Sequence, residues 1–131
     1  MTPIPFVPEL HFELVKHWLQ LWNETMTPEA LPKTGFIIPG KAVGFLYRTD
    51  SSLALIENLV AAPGLSREER SEAVDAIVAA VCAEAAKQGF KMLLGYTVLD
   101  AVVKRAERFG FIYVAGNFHL VARPLNAGSP E

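Results

Sequence analysis

The chain has 131 residues, a length that suits one domain around one core. Apolar residues make up 51% and charged residues 20%, which excludes a disordered chain, and the net charge of -2 offers nothing to a nucleic-acid backbone. Cys82 is the only cysteine, so an internal disulfide and a cysteine-based metal cluster are both excluded.

The first residues, MTPIPFVPEL, carry no basic start followed by an apolar stretch, so no signal peptide is expected. The longest purely apolar run, Ala76 to Ala83, is far short of the ~20 residues needed to span a bilayer. The expectation is a cytoplasmic protein without a membrane or nucleic-acid partner and without a bound metal. Ile4 to Val7 reads as a short edge strand, where proline is tolerated. Glu9 to about Thr25 reads as a helix with Leu10, Leu14, Trp18, Leu21 and Trp22 at three- and four-residue steps. Trp18 and Trp22 then cover a sheet or form a partner-binding patch. TPEALPKTG is loop.

Three strands follow: Gly35 to Ile38, Ala42 to Arg48 and Leu53 to Ala61. Their short connections predict an antiparallel meander. In the third, alternation places Leu53, Leu55, Glu57, Leu59 and Ala61 on one face and Ala54, Ile56, Asn58 and Val60 on the other. Both faces are largely apolar, which predicts a central strand covered on both sides.

Ser66 opens a long helix. Ser66-x-x-Glu69 is a capping box, in which the hydroxyl accepts from the Glu69 amide and the carboxylate returns to the Ser66 amide. Gly89 closes it in a left-handed cap. The roughly 22 helical residues between them span about 33 Å. Val74, Ile77, Val78, Val81, Cys82 and Ala85 form its apolar stripe. Phe90 to Val98 reads as a strand, about Asp100 to Phe109 as a helix ended by Gly110. Phe111 to Ala115 and Phe118 to Arg123 read as a last hairpin around Gly116-Asn117. The step from Leu53 to Tyr96 is long enough for a right-handed parallel crossover. The fold class is therefore α/β: a mixed, mostly antiparallel sheet of six to seven strands, helices on both faces, order (β)αβββαβαββ. Residues 1–125 form one domain, and NAGSPE, 126–131, is a loose tail.

The strand ending LVAAP, the helix ending AEAAKQGF, the strand KMLLGYTV and the run VVKRAERFGFIYVAG together resemble the GNAT superfamily of N-acetyltransferases. The likeness covers roughly Gly35 to Leu125. It implies a sheet splayed between the strands at Leu53–Ala61 and Phe90–Val98, with acetyl-CoA or another acyl-CoA lying in the splay. Backbone groups at Asn58, Leu59, Val60 and Ala61 would then receive the pantetheine, and the turn into the long helix the pyrophosphate. The compact form and short N-terminal part also resemble GNAT-like proteins encoded by phages, which would place the protein inside a host cell.

Two features depart from the family pattern, the turn and the acid. The family's glycine-rich phosphate turn reads Pro63-Gly64-Leu65-Ser66-Arg67-Glu68-Glu69-Arg70 here. No glycine follows Gly64 before Gly89, and Glu68 and Glu69 oppose an anion at the helix start. Arg67 and Arg70 are the substitute phosphate ligands. The family's tyrosine acid, four residues before the Gly-Phe pair, is Ala106 here, and the asparagine common earlier in that helix is Leu99. Tyr96 and Tyr113 are candidate replacements for the phenol, against a reading as packing residues with wet hydroxyls.

Glu57 is the candidate general base toward a small-molecule or amine acceptor. Apolar neighbours on a strand raise a carboxylate's pKa, which suits a base, and the competing reading is a charge paired with a lysine or arginine. His119 reads as a strand-surface histidine or a cleft residue. His11 and His17 are six apart and share no helix face. Cys82 reads as a small buried hydrophobe. Lys104, Arg105 and Arg108 read as a solvated helix face. Two functions remain open: an acyl-CoA-dependent N-acyltransferase, or a catalytically inactive GNAT-like binding or structural module. The last hairpin and the first helix are the places for a homo-oligomer contact.

Overall fold

The computed structural model describes residues 1–21 and 28–125. Along the chain it has β1 (Ile4–Pro5), α1 (Pro8–Leu21), a short 3-10 turn (Pro28–Ala30), β2 (Gly35–Ile38), β3 (Ala42–Tyr47), β4 (Leu53–Ala61), α2 (Arg67–Lys87), β5 (Met92–Leu94) and α3 (Asp100–Arg108). The sheet order is β1-β2-β3-β4-β5. The first four strands pair antiparallel, and α2 carries the chain over to the parallel pair β4–β5. The meander and the crossover follow the sequence pattern. The expected end of the first helix at Thr25, Trp22 and the tail at 126–131 lie outside the described residues.

Two packed layers flank the sheet. Phe12, Val15, Trp18 and Leu19 of α1 pack with Ile37, Val43, Phe45 and Val60. Val74, Ile77, Val78, Val81 and Ala85 of α2 pack with Ile38, Ala42, Leu46, Ala54 and Ala61. The α2 stripe is the expected one. The α1 stripe is not: Leu10, Leu14 and Leu21 are exposed, and among its described members only Trp18 is buried. Helix α1 is apolar on two faces, and the sheet took the face carrying Phe12, Val15 and Leu19, which are spaced three and four apart.

β4 departs from simple alternation. Phe45 of β3 lies opposite Glu57, but Val43 lies opposite Val60, so Gly44 spans both Asn58 and Leu59. Asn58 is the extra residue of a β-bulge, with φ of +53°. Asparagine tolerates this left-handed conformation better than most residues. Its side-chain Oδ1 accepts a hydrogen bond from the Tyr47 hydroxyl. The bulge reverses the parity of the strand. Leu59 and Ala61 pack beside Ile56 and Ala54 on the α2 side, while Glu57 shares its side with Phe45 and Val60. The expected shared face of Glu57, Leu59 and Ala61 is thus overturned. Helix α2 sits close over the bulge: a Cβ on Gly44 would lie 2.6 Å from Ile77 Cγ2 and 3.1 Å from Leu59 Cδ1.

Both long connections to β5 and beyond end in the same cap. At Gly89, φ +89°, the Gly89 amide donates to the Ala86 carbonyl and the Phe90 amide to that of Ala85. At Gly110, φ +88°, the Gly110 amide donates to the Glu107 carbonyl and the Phe111 amide to that of Ala106. These are Schellman pairs, and Phe90, Phe109 and Phe111 fold back onto the α2 layer. Arg105 is not simply solvated. It ion-pairs with Asp75 of α2 and donates to the Ser71 carbonyl at 3.1 Å, while Arg108 reaches Asp75 at 3.4 Å. Only Lys104 of that cluster fits the solvated reading.

The strand count is lower than the six to seven expected. β5 covers three residues in place of Phe90–Val98, and residues 111–125 form neither helix nor strand, so the last hairpin is absent from the described structure. The turn at Gly116-Asn117 keeps its local character, with Asn117 at φ +61°.

Replacing Asn58 with valine will lower stability by about 1–3 kcal/mol, because a β-branched side chain is strained at positive φ. Glycine there, losing only the Tyr47 contact, will cost less. Urea unfolding of the two variants beside the parent checks the order.

Candidate functional site

β4 and β5 pair only at Leu53–Met92, Ala54–Leu93 and Leu55–Leu94. Beyond that point β5 ends, while β4 runs on for six residues to Ala61. Gly95 stays near Ile56, its missing Cβ 3.3 Å from Ile56 Cγ2. Then the chains part. The bulge at Asn58 lies on the unaccompanied half of β4, within the splay that the resemblance implies.

The Ala62 amide donates to the Lys41 carbonyl, toward β3. Successive residues of a strand turn their backbone groups to opposite edges. The peptide groups of Ala61 and Leu59 therefore face the splay, and that of Val60 faces β3. Of the four residues expected to line a pantetheine, two present main chain to the gap. Asn58 instead shapes the strand.

Glu57 lies at the mouth of the splay. Its Oε1 accepts from the Tyr96 amide at 3.2 Å. Tyr96 itself is not on a strand; its ring is largely exposed and meets Phe118 edge-on, centroids 5.6 Å apart. The carboxylate and the phenol-bearing residue are therefore brought together, but through the Tyr96 backbone. Tyr47, not singled out from sequence, joins the group through its bond to Asn58. The signal for it was available only with the register, which sets Tyr47 opposite Leu55. A shallow cleft of about 350 Å³ between Glu29–Thr34 and Leu46–Arg48 is lined by Tyr47 but not by Glu57 or the turn after β4. Chain parting, not cavity size, marks the site.

The turn after β4 is built as a helix start. Gly64 has φ of +83°, with open space where its Cβ would be. Ser66 is the N-cap, its hydroxyl oxygen accepting from the Glu69 amide at 3.1 Å. The returning carboxylate meets the Ser66 hydroxyl at 3.4 Å and Lys41 Nζ at 3.7 Å, not the Ser66 amide that a capping box predicts. Arg67 and Arg70 are exposed at the first turn of α2. Main chain along β4 fits a pantetheine. The turn fits a pyrophosphate less well, since Ser66 and Glu69 occupy one another.

Ala106 is half-buried in α3, so the usual acid position holds no phenol. Leu99 caps α3 without a side-chain bond, its amide held instead by Thr97 Oγ1 at 3.1 Å. Tyr113 and His119 are exposed and on no strand. His11 Nδ1 accepts from the Val7 amide at 2.9 Å, closing the first turn of α1, and its ring leans on Phe6. Cys82 is half-buried against the α2 layer, and burial pushes its thiol pKa up. Among the described residues no cluster of three His, Cys, Asp or Glu side chains could hold a metal ion, and no helix is long and apolar enough to cross a membrane.

No family model and no curated protein matches the chain. Solved structures do. Rv2747 from Mycobacterium tuberculosis, determined in complex with CoA and NLQ, superposes with a TM-score of 0.74 at 14% identity, over 88% of this chain and 74% of that one. A provisionally assigned acetyltransferase from Agrobacterium tumefaciens str. C58 gives 0.70 at 17% identity, over 93% and 100%. A variant of TTHA1254 from Thermus thermophilus gives 0.60 at 15%, over 96% and 98%. At these identities the likeness is one of fold. The chain shares their fold, a GNAT-like α/β fold.

Because the folded Cys82 thiol holds its proton more tightly than an unfolded one, its contribution to stability is complete below the ordinary thiol pKa of ~8.5 and falls as pH rises above it. Urea midpoints measured from pH 7 to 10 will show this decline in the parent and a smaller one in Cys82→Ala. Separately, Ser66→Ala will cost about 0.5–2 kcal/mol of stability through loss of the cap, read from the same unfolding curves at pH 7.

Proposed function

We propose that the chain binds an acyl-CoA in the splay between β4 and β5 and transfers its acyl group to an amine acceptor. The parting of β4 from β5 after Leu55, with the bulge at Asn58 beside it, is the observation that carries this reading. The CoA present in the Rv2747 structure, which shares the fold, supports it.

In this reading the chain's own groups act as follows. The outward peptide groups of Leu59 and Ala61 receive the pantetheine amides as an added strand would be received. The start of α2 offers partial positive charge to the phosphates, and Arg67 and Arg70 add side-chain charge from the first turn. Glu57 takes the proton of the attacking amine, directly or through water, while the Tyr96 amide holds one carboxylate oxygen in place. The thioester C–S bond breaks as the C–N bond forms. The leaving thiolate takes its proton from water or from Tyr96, since Ala106 has none to give.

A second reading is favoured by the turn. Ser66 and Glu69 hold one another and Lys41 pairs with Glu69, so the helix start is furnished for stability. A GNAT-fold module without transferase activity, binding a partner or serving as structure, follows from that arrangement.

Titration calorimetry with acetyl-CoA will show binding, and an amine-panel assay will show acyl transfer that falls ~10²–10⁴-fold in Glu57→Gln with binding retained. Absence of heat at millimolar ligand overturns the transferase reading and leaves the module. Binding without transfer across the panel supports a ligand-binding module.

A further inference from the structure

Helix α1 carries apolar side chains that its own sheet does not use. Phe12, Val15, Trp18 and Leu19 pack on the sheet, while Val7, Leu10, Leu14 and Leu21 are 36%, 75%, 39% and 54% exposed. Periodicity places Leu10, Leu14 and Leu21 in the core, and the structure turns them outward. At about 100° per residue their mean direction lies roughly 140° around the helix from the buried set, so α1 has two separate apolar faces.

The outer face is a seam and not a scatter. Val7, Leu10, Leu14, His17 and Leu21 follow at steps of three, four, three and four residues, the spacing of a two-stranded coiled coil. Glu13 and Gln20 line one side of it, and both, like His17, are exposed. Two heptads are too few to hold an isolated helix, but the sheet already fixes α1, so docking on it orders no new backbone. Laid antiparallel against itself, the seam brings Leu14 onto Leu14, Val7 onto Leu21 and Leu10 onto His17. The same register sets Glu13 of each copy beside His17 of the other, a carboxylate against an imidazole, twice by symmetry.

We propose that α1 docks antiparallel on α1 of a second copy of this chain, about a two-fold axis at Leu14. Both copies give the same face, so the contact closes and stops at the dimer. The four apolar side chains with His17, Glu13 and Gln20 offer on the order of 600 Å² per copy, the low end of the ~1,200–2,000 Å² total of specific interfaces. The dimer is therefore reversible, and its population follows protein concentration. This inference stands apart from the acyltransfer reading and needs no CoA.

Sedimentation velocity from micromolar to millimolar protein will show the mean mass rising from one chain mass toward two. Leu10→Glu/Leu14→Glu, a pair at exposed positions, will keep the parent's circular dichroism and stay at one chain mass. A parent of one chain mass at every concentration overturns the proposal, and so does a double variant that still dimerises, since the interface would then lie elsewhere. Oxidative cross-linking in a Cys82→Ala background decides without that variant. Leu14→Cys, on the two-fold axis, will link to itself. Two copies of Leu10→Cys stand about 12 Å apart along the helices, beyond the ~7 Å between Cα atoms that a disulfide can span, and will link far more slowly. Equal rates at the two positions overturn the antiparallel pairing.

Discussion

One asparagine in left-handed conformation governs the middle of this protein. Asn58 puts an extra residue into β4 opposite Gly44, and the strand's parity reverses there. Before the bulge, Ala54 and Ile56 face α2; after it, Leu59 and Ala61 do. Without the reversal Val60 would change layers and leave the cluster it shares with Phe45 and Trp18. The bulge also adds twist to the half of β4 that β5 does not accompany. Core packing, strand parting and the outward main chain of Leu59 and Ala61 are thus consequences of one local backbone choice. The missing side chain at Gly44 lets α2 come down on it.

Around that point the fold is secured by terminations. Gly89 and Gly110 end α2 and α3 with the same pair of hydrogen bonds, and the phenylalanines at both ends return to the α2 layer. Asp75 then gathers Arg105 and Arg108 and holds α3 against α2. The start of α2 is furnished in the same spirit, with Ser66, Glu69 and Lys41 in contact. The turn after β4 is thus furnished as a helix start. A helix start that satisfies itself has less to give to a ligand.

Much of the fold was legible because its signals are local. Ser66 and Glu69 marked the start of α2, Gly89 and Gly110 marked two helix ends, and the apolar stripe from Val74 to Ala85 named its buried face. Glu57 stood out as a carboxylate in an apolar strand, and it does sit where β4 and β5 part. The misreadings have one cause. Strict alternation along β4 could not register Asn58, since asparagine in a strand does not by itself declare a bulge. For α1, two apolar faces were present and periodicity could not choose between them. The run from Phe111 to Arg123 has the composition of a hairpin, yet strand composition by itself does not form a strand.

Residue chemistry by itself determined the element order as far as α3, the caps, the antiparallel meander with its parallel step, and the likeness to the GNAT fold, because each depends on neighbours a few residues away. The tertiary structure decided which face of α1 is buried, that Tyr47 holds Asn58, that Glu57 meets the Tyr96 backbone, that Arg105 and Arg108 meet Asp75, and that β5 ends early. Those outcomes depend on register and on contacts between distant segments. Only the assembled sheet fixes which side chains face one another.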